Sequence, residues 1–250
     1  MKYTGVIPAA GKGRRIAASK LTRVLPKPLI PINGMCIIES SIMNLERAGI
    51  SDIIVIVNYK ADLIRDFLDD GRDWGVDIEY VYQPTLNGIG GAILDAESCI
   101  PGDFVVALGD EITLTNNIVY ILKKLETTPD ALIVEAAVNE YDRRIIEQTN
   151  EILLDSTGRI MEIREKPVNP RTLTRGIGLY ACKHEVLDYI KKTPPSPIRG
   201  EIEISDVIAN IIRNGGGAYA EWLQGFTVNI NTLDDLLNAE RVMIGRTLWD

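Results

Sequence analysis

An α/β fold with a mostly parallel central sheet flanked by helices is the class this sequence predicts, and three observations carry it. Through the first half, short runs rich in Ile and Val alternate with segments of helical periodicity, the pattern of successive β-α-β units. Some runs, such as "SDIIVIVN" (51–58) and "GDFVVALGD" (102–110), are apolar without alternation, which suits strands covered on both faces. After Asp110 the rhythm shifts to closely spaced extended segments, so a smaller mixed-sheet lobe is expected there, laid across the first part.

Taken in order, "YTGVIP" reads as the first strand. "MCIIESSIMNLERAG" reads as a helix closed by Gly49, since glycine takes the left-handed conformation that ends helices. "SDIIVIVN" is a strand, "KADLIRDFLDD" a helix, "VDIEYVYQ" an alternating strand, "IGGAILDAESCI" a helix and "GDFVVALGD" a buried strand. Beyond Asp110, "ALIVEAAVN", "NEILLD", "RIMEIREKP" and "TRGIGLYACK" are extended, with "DSTGR" as a hairpin turn. "KHEVLDYIKK" and "EISDVIANIIRNGGG" are helical, separated by the breaker "TPPSP", and Thr232 is placed to N-cap a last helix through "TLDDLLNAERVMI".

A chain of 250 residues with 46% hydrophobic and 25% charged residues has room for one large α/β domain or two small ones. Its formal net charge of -8 argues against nucleic acid or an anionic membrane as main partner, because both require an excess of Lys and Arg over a face. Cys36, Cys99 and Cys182 are odd in number and show no metal-ligand spacing, which reads as reduced thiols in a cytoplasmic protein. No signal-peptide core and no apolar run long enough to span a bilayer are present, so a soluble chain is expected.

Against this acidic background, Lys12, Arg14, Arg15, Lys20, Arg23 and Lys27 gather in one segment, with no Asp or Glu before Glu39. Gly11 and Gly13 follow the first strand, where glycine admits close approach of a ligand and positive φ, and successive amides can form an anion-binding nest. Alone, the segment reads equally as a solvated basic loop. It lacks the dinucleotide pattern G-x-G-x-x-G, since position 16 is Ile, and it lacks the G-K-[ST] of a P-loop. Lys27, between Pro26 and Pro28 on a stiffened backbone, adds a compact cation to the planar fork of Arg15. Asp110 closes a buried strand, the usual place for a ligand-facing residue in open α/β sheets and a hard donor suited to Mg²⁺.

"AAGKGRR", "LPKPLIP", "LGD", "REKP" and "RGEIEISD" occur in the order found in sugar-1-phosphate nucleotidylyltransferases, and the chain resembles the glucose-1-phosphate thymidylyltransferase and UDP-glucose pyrophosphorylase group from Val6 to about Leu237. The resemblance implies a Rossmann-like nucleotidyltransferase fold as one domain over 1–250. Residues 1–110 would mainly hold the nucleotide, 111–221 form the sugar-phosphate lobe, and 222–250 return a metal ligand and a C-terminal helix. A further β-helix domain is not expected.

Carried over by position, the resemblance implies that Ala9, Ala10, Gly11 and Gly13 line the nucleotide, and that Arg15 and Lys27 hold the triphosphate and the reacting α-phosphorus. Gln83 and the backbone at Gly88 would read the base, the amide both donating to and accepting from a thymine or uracil imide. Asp110 would ligate Mg²⁺ together with Asn229, where many relatives carry Asp. Glu165, Lys166 and Glu201 would receive the sugar phosphate. Two departures, the absence of a Tyr-Gly pair in "YDRRIIEQTNEILLD" and Gly176 where Asn is frequent, point to a remodelled sugar pocket.

The implied reaction is nucleotidylyl transfer from dTTP or UTP to a sugar 1-phosphate, glucose 1-phosphate being the first candidate, without a covalent intermediate and in a homo-oligomer. Three alternatives stand beside it: another base or a phosphorylated polyol acceptor, a non-catalytic regulatory homologue that binds nucleotide sugars, and a nicotinamide-binding module. His184, the single histidine, is expected at the surface, and Trp74, Trp222 and Trp249 at packing edges or an interface.

Overall fold

The computed structural model describes residues 3–13, 24–115, 117–197 and 199–244. In chain order, β1 (Thr4–Pro8) leads, beyond segment 14–23, to a 3-10 turn (Lys27–Leu29), then β2 (Pro31–Ile32), β3 (Met35–Cys36), α1 (Ile37–Arg47), β4 (Asp52–Val57), α2 (Ala61–Leu68) and β5 (Asp77–Tyr82). Next come α3 (Gly88–Asp95), β6 (Phe104–Ala107), β7 (Glu111–Thr115), α4 (Ile118–Thr127), β8 (Ala131–Asn139), α5 (Arg143–Gln148), β9 (Asn150–Leu154), β10 (Ile160–Glu165) and β11 (Thr174–Cys182). The chain continues through α6 (Val186–Lys192), α7 (Ile204–Arg213), β12 (Gly217–Trp222), β13 (Gly225–Asn229) and α8 (Leu233–Ile244).

A seven-stranded sheet in the order β12-β8-β11-β6-β1-β4-β5 is the spine. β1 runs parallel to β4 and β6, β4 to β5, and β12 to β8, while β11 is antiparallel to both β6 and β8. All strands of this sheet except β11 therefore share one direction. Side chains of a strand alternate between faces, and this alternation divides the core into two clusters. Ile7, Ile53, Val55, Val105, Val134 and Leu179 pack on one face with α1, α2 and α4. Val6, Ile54, Ile56, Val106, Ile133 and Tyr180 pack on the other with α3, α6, α7 and the β9–β10 hairpin. The unbroken apolar runs of β1, β4 and β6 follow from burial on both sides. A third cluster, including Ile30, Ile32, Ile112, Ile230 and Leu236, ties the β2–β3 hairpin and α8 to the β7–β13 pair.

The mostly parallel sheet with helices on both faces is as expected. The extended segments after Asp110 are distributed differently from a lobe laid across that sheet. β8 and β11 extend the central sheet itself, because Ile133 and Ala137 face one cluster while Val134 and Ala136 face the other, so β8 must be covered on both sides. β9 and β10 pair only with each other, as a small antiparallel sheet. Their turn is organised by Asp155, whose Oδ1 accepts from the backbone N–H groups of Thr157 and Arg159. β2, β3, β7, α4, α5, β12 and β13 are additional elements. α1 ends as expected, with Gly49 at φ 78°. α8 begins at Thr232, whose Oγ1 accepts from the Asp235 N–H while Asp235 accepts from the Thr232 N–H, a reciprocal cap.

Candidate active site

A cleft of about 770 Å³ opens where β1, β5 and β6 end and where the antiparallel strand β11 begins. Ala9, Ala10, Gly11, Gly13, Lys27, Gln83, Gly88, Asp110, Glu165, Lys166, Glu201 and Asn229 all line it. The structure thus brings together every sequence-predicted site residue it describes. Arg15 lies outside the described residues.

At one end, the carboxyl end of β1 delivers Ala9 through Gly13. Ala9 is fixed by its N–H donating to the Ile56 carbonyl at 2.8 Å. Gly13 adopts φ 57°, as the nest reading requires. Gly11 is a correction, because it is absent from the positive-φ glycines and a Cβ there would meet nothing among the described residues within 4 Å, so it supplies room rather than an unusual backbone. Lys27, on its proline-flanked 3-10 turn, is only 4% exposed, and its Nζ donates to Asp110 Oδ2 at 2.8 Å. A buried ammonium requires such a partner. The Asp110 side chain remains 44% exposed and faces the opening.

Asn229 reaches the same place from a distant part of the chain. β13 pairs with β7 so that Asn229 stands opposite Glu111, next to Asp110 in sequence. Asn229 Oδ1 is buried and has no hydrogen-bond partner among the described residues. Glu111 is already committed, its carboxylate accepting from the Gly178 N–H at 3.0 Å and from Thr227 Oγ1 at 2.7 Å. Among the described residues no group of three or more His, Cys, Asp or Glu is placed to hold a metal. The donors present, one carboxylate and one amide oxygen, fit a cation that keeps waters and shares phosphate oxygens, the habit of Mg²⁺.

Toward α3, Gln83 is buried, and its Nε2 donates to Asn87 Oδ1 at 3.1 Å and to the Gly88 carbonyl at 3.4 Å. Gly88 starts α3 at φ 94°, and a Cβ there would lie 2.7 Å from the Ile202 carbonyl oxygen. Ile202 is held to this loop by its N–H donating to the Asn87 carbonyl and its carbonyl accepting from the Gly90 N–H. The loop beside Gln83 and the loop bearing Glu201 are thereby fastened together.

The other end is rich in carboxyls. Glu165 accepts from Ser205 Oγ at 2.8 Å and lies 3.5 Å from Lys166 Nζ. Lys166 holds φ 43°, an uncommon left-handed conformation for a residue with a side chain, of the kind that accumulates at functional sites. Arg199 stands 2.7 Å from Glu201 and 2.9 Å from Glu203. Burial and then the charge of Glu165 push the Glu203 carboxyl up to about 7. Glu203, Arg199, Ser205, Arg175, Asn150 and Tyr180 line the cleft but were missed in the sequence. A signal was present for two of them: in "RGEIEISD", Arg199, Glu201 and Glu203 alternate, and in an extended segment alternate residues share a side. His184 is exposed and not among the residues lining the cleft, as expected.

Comparison with known proteins gives this arrangement a lineage. The family model described as nucleotidyl transferase matches residues 4–244. The UTP--glucose-1-phosphate uridylyltransferase AglF of Haloferax volcanii is 32% identical over 238 residues, covering 94% of each chain. The low-salt glycan biosynthesis nucleotidyltransferase Agl11 of the same organism is 30% identical over 96% of this chain, which spans 66% of that relative's length. The chain spans about half of the bifunctional protein GlmU of Methanococcus aeolicus, at 31% identity (94% of this chain, 53% of the relative). Among solved structures, a Bacillus anthracis protein assigned as a glucose-1-phosphate thymidylyltransferase, in complex with a sucrose, superposes with TM-score 0.84 at 26% identity, covering 98% of this chain and 96% of the other. A UDP-glucose pyrophosphorylase complexed with UDP-glucose shares the fold at TM-score 0.84 and 20% identity, covering 99% of this chain and 100% of the other. With the match running from β1 to α8, through every element that builds the cleft, the chain belongs to the nucleotidyl transferase family.

Proposed function

We propose that the chain transfers a nucleotidyl group from dTTP or UTP to a sugar 1-phosphate, glucose 1-phosphate first among them, releasing pyrophosphate. The observation that carries this reading is the single cleft holding the Lys27–Asp110 pair between a glycine-rich strand end on one side and Glu165, Lys166 and Glu201 on the other. A phosphate oxygen of the acceptor forms the new bond to the α-phosphorus, and the bond from that phosphorus to the oxygen bridging the β-phosphate breaks. The second pKa of a phosphomonoester is ~6, so the nucleophile is already ionised at neutral pH and needs no general base. The work left to the protein is in-line placement and charge stabilisation.

In this reading Ala9, Ala10, Gly11 and Gly13 seat the nucleotide. Gln83 and Gly88 meet the base, Lys27 with Arg15 neutralises the triphosphate, and Glu165, Lys166 and Glu201 hold the acceptor. Asp110 and Asn229 would hold Mg²⁺, which when bound supplies charge neutralisation on the phosphates. The orphaned Asn229 Oδ1 supports that assignment. Family resemblance suggests a homo-oligomer in the cytoplasm, and no described helix is long and apolar enough to cross a membrane. Transfer to a phosphorylated polyol is a second reading, favoured by the carboxyl-rich acceptor end.

The test is pyrophosphate release from each of the common nucleoside triphosphates, dTTP included, with Mg²⁺ and a panel of sugar 1-phosphates and polyol phosphates. Release with dTTP or UTP and one sugar phosphate is expected. Nucleotide binding without release from any acceptor would replace the enzyme reading with that of a regulatory binding protein.

A further inference from the structure

Asn87 stands at the N-terminus of α3 but does not cap it. An asparagine at that position ordinarily gives its side-chain oxygen to a backbone N–H of the first turn, and the Asn87 side chain makes no such bond. Its Oδ1 accepts instead from Gln83 Nε2 at 3.1 Å. Room for this arrangement comes from the next turn of the helix. A Cβ at Gly91 would overlap Asn87 Oδ1, so the carboxamide lies in space that a side chain at 91 would fill. Glycine inside a helix weakens it relative to alanine, and Gly91 is in the interior of α3.

Two hydrogen bonds decide which way the Gln83 amide points. The Gly88 carbonyl can only accept, so the amide atom 3.4 Å from it must be the NH2 group. Asn87 must then present its oxygen to that same nitrogen. Both hydrogens of the NH2 group are engaged, one on Asn87 and one on Gly88, and Oε1 is the atom left over. It accepts from no described residue and is not sealed off from solvent, and Gln83 itself lines the cleft. Gln83 therefore offers a base an acceptor alone, where the sequence suggested a donor as well. Uracil and thymine carry a ring N–H at N3 and cytosine carries a lone pair there, so an oxygen held opposite N3 attracts the first two and repels the third.

We propose that Asn87 is a positioning residue for base selection: acting through Gln83, it holds the amide with Oε1 toward the base, and the nucleotide taken is one whose pyrimidine presents a ring N–H to that oxygen. This rests on the nucleotidylyl reading above and deepens it. Without Asn87 the Gln83 side chain keeps only the longer bond to Gly88, and its amide is free to turn its NH2 group toward the N3 lone pair of cytosine.

The experiment measures binding of UTP, dTTP, CTP and the triphosphate of 3-methyluridine, each with Mg²⁺, to the unaltered chain and to Asn87→Ala, Asn87→Asp and Gly91→Ala, with turnover, acceptor KM and thermal melting alongside. The unaltered chain should bind UTP and dTTP well, and CTP and the 3-methyl analogue, which has no N3–H, poorly. Asn87→Ala should cut the preference for UTP over CTP by about tenfold, the scale of one hydrogen bond, with acceptor KM unchanged. Asn87→Asp keeps an oxygen toward Gln83 Nε2 and should restore the preference. Gly91→Ala displaces Asn87 Oδ1 and should lose preference as Asn87→Ala does, although alanine is the better helix former. With Ala at both positions no clash remains, and the preference should equal that of Asn87→Ala alone.

A purely structural role for Asn87 would weaken all four nucleotides alike. A folded Asn87→Ala chain that keeps the parental preference for UTP over CTP, or that loses affinity for both equally, would overturn the inference, as would an unaltered chain that binds CTP and UTP equally. Transfer by the unaltered chain is read separately: its absence with every nucleotide and acceptor would remove the nucleotidylyl reading, and the inference with it.

Discussion

Lys27 Nζ and Asp110 Oδ2 are 2.8 Å apart although 83 residues separate them, and of the two cleft-lining side chains the aspartate is by far the more exposed. The sheet makes this meeting possible: β1 and β6 are parallel neighbours, so the loops leaving their carboxyl ends emerge side by side. A buried cation next to an exposed anion is poised to exchange partners when a polyphosphate enters. Replacing Lys27 by Met should therefore lower turnover on the order of a hundred- to a thousandfold, as the loss of a preorganised charge at a reacting phosphorus does. Melting temperature should change little by comparison. A Lys27→Met protein with near-normal kcat would remove Lys27 from the reacting centre.

Asn229 should set how much Mg²⁺ the protein needs. Asn229→Ala deletes the unpartnered Oδ1 and should raise the Mg²⁺ concentration for half-maximal activity by about tenfold, equivalent to ~1.4 kcal/mol. Asn229→Asp, with more charge at the same position, should lower it again. Identical Mg²⁺ titrations for all three proteins would show that Asn229 has no part in holding the cation.

Stability should fall as pH rises. Glu135 and Glu203 have folded-state values pushed up to about 8 and about 7 from an ordinary 4.5, so between those limits the unfolded chain releases protons that the folded chain keeps. The folded state is then favoured most below pH 4.5 as far as these two groups are concerned, and their support is lost progressively toward pH 8. Glu135→Gln should flatten that decline and melt at a higher temperature than the parent at pH 8.5, while differing little near pH 5. Parallel melting curves across pH would show that Glu135 ionises normally.

Gly88 should tolerate no side chain. At φ 94° with a Cβ 2.7 Å from a backbone oxygen, Gly88→Ala combines backbone strain of roughly 1–3 kcal/mol with a clash that must push the Ile202 segment away. Both a lower melting temperature and a raised nucleotide KM are expected, because Gln83 bonds to the same loop. A normal KM in a destabilised protein would separate the loop from base recognition.

Much of this architecture can be read locally. β1, β4 and β6 announce themselves because strands covered on both faces need uninterrupted apolar residues, and α8 because Thr232 and Asp235 complete a cap within four residues. The segments Glu111–Thr115, Gly217–Trp222 and Gly225–Asn229 carry little signal of their own, since their pairing partners are remote and their composition is mixed. Lys27, Asp110 and Glu165 were recognisable only as ordered motifs. Glu135 was invisible for a different reason: a Glu within "ALIVEAAVN" looks like the polar face of a half-exposed strand, and only the packed sheet shows that it is enclosed. Arg175 is similar, buried at 4% exposure and brought 3.3 Å from Glu140, just past the end of β8, by the pairing of β8 with β11.

The interlocking of Gly176 with Glu135 also bears on how such an enzyme could change its substrate over generations. Any side chain introduced at 176 collides with the carboxyl on the neighbouring strand, since a Cβ there would overlap Glu135 Oε1, while shortening residue 135 alone leaves a hole beside a glycine. Neither single replacement is an improvement, so a change of shape along this wall of the cleft requires paired replacements on adjacent strands. Library designs that vary loops alone would leave this barrier standing, whereas joint randomisation of 135 and 176 addresses it directly.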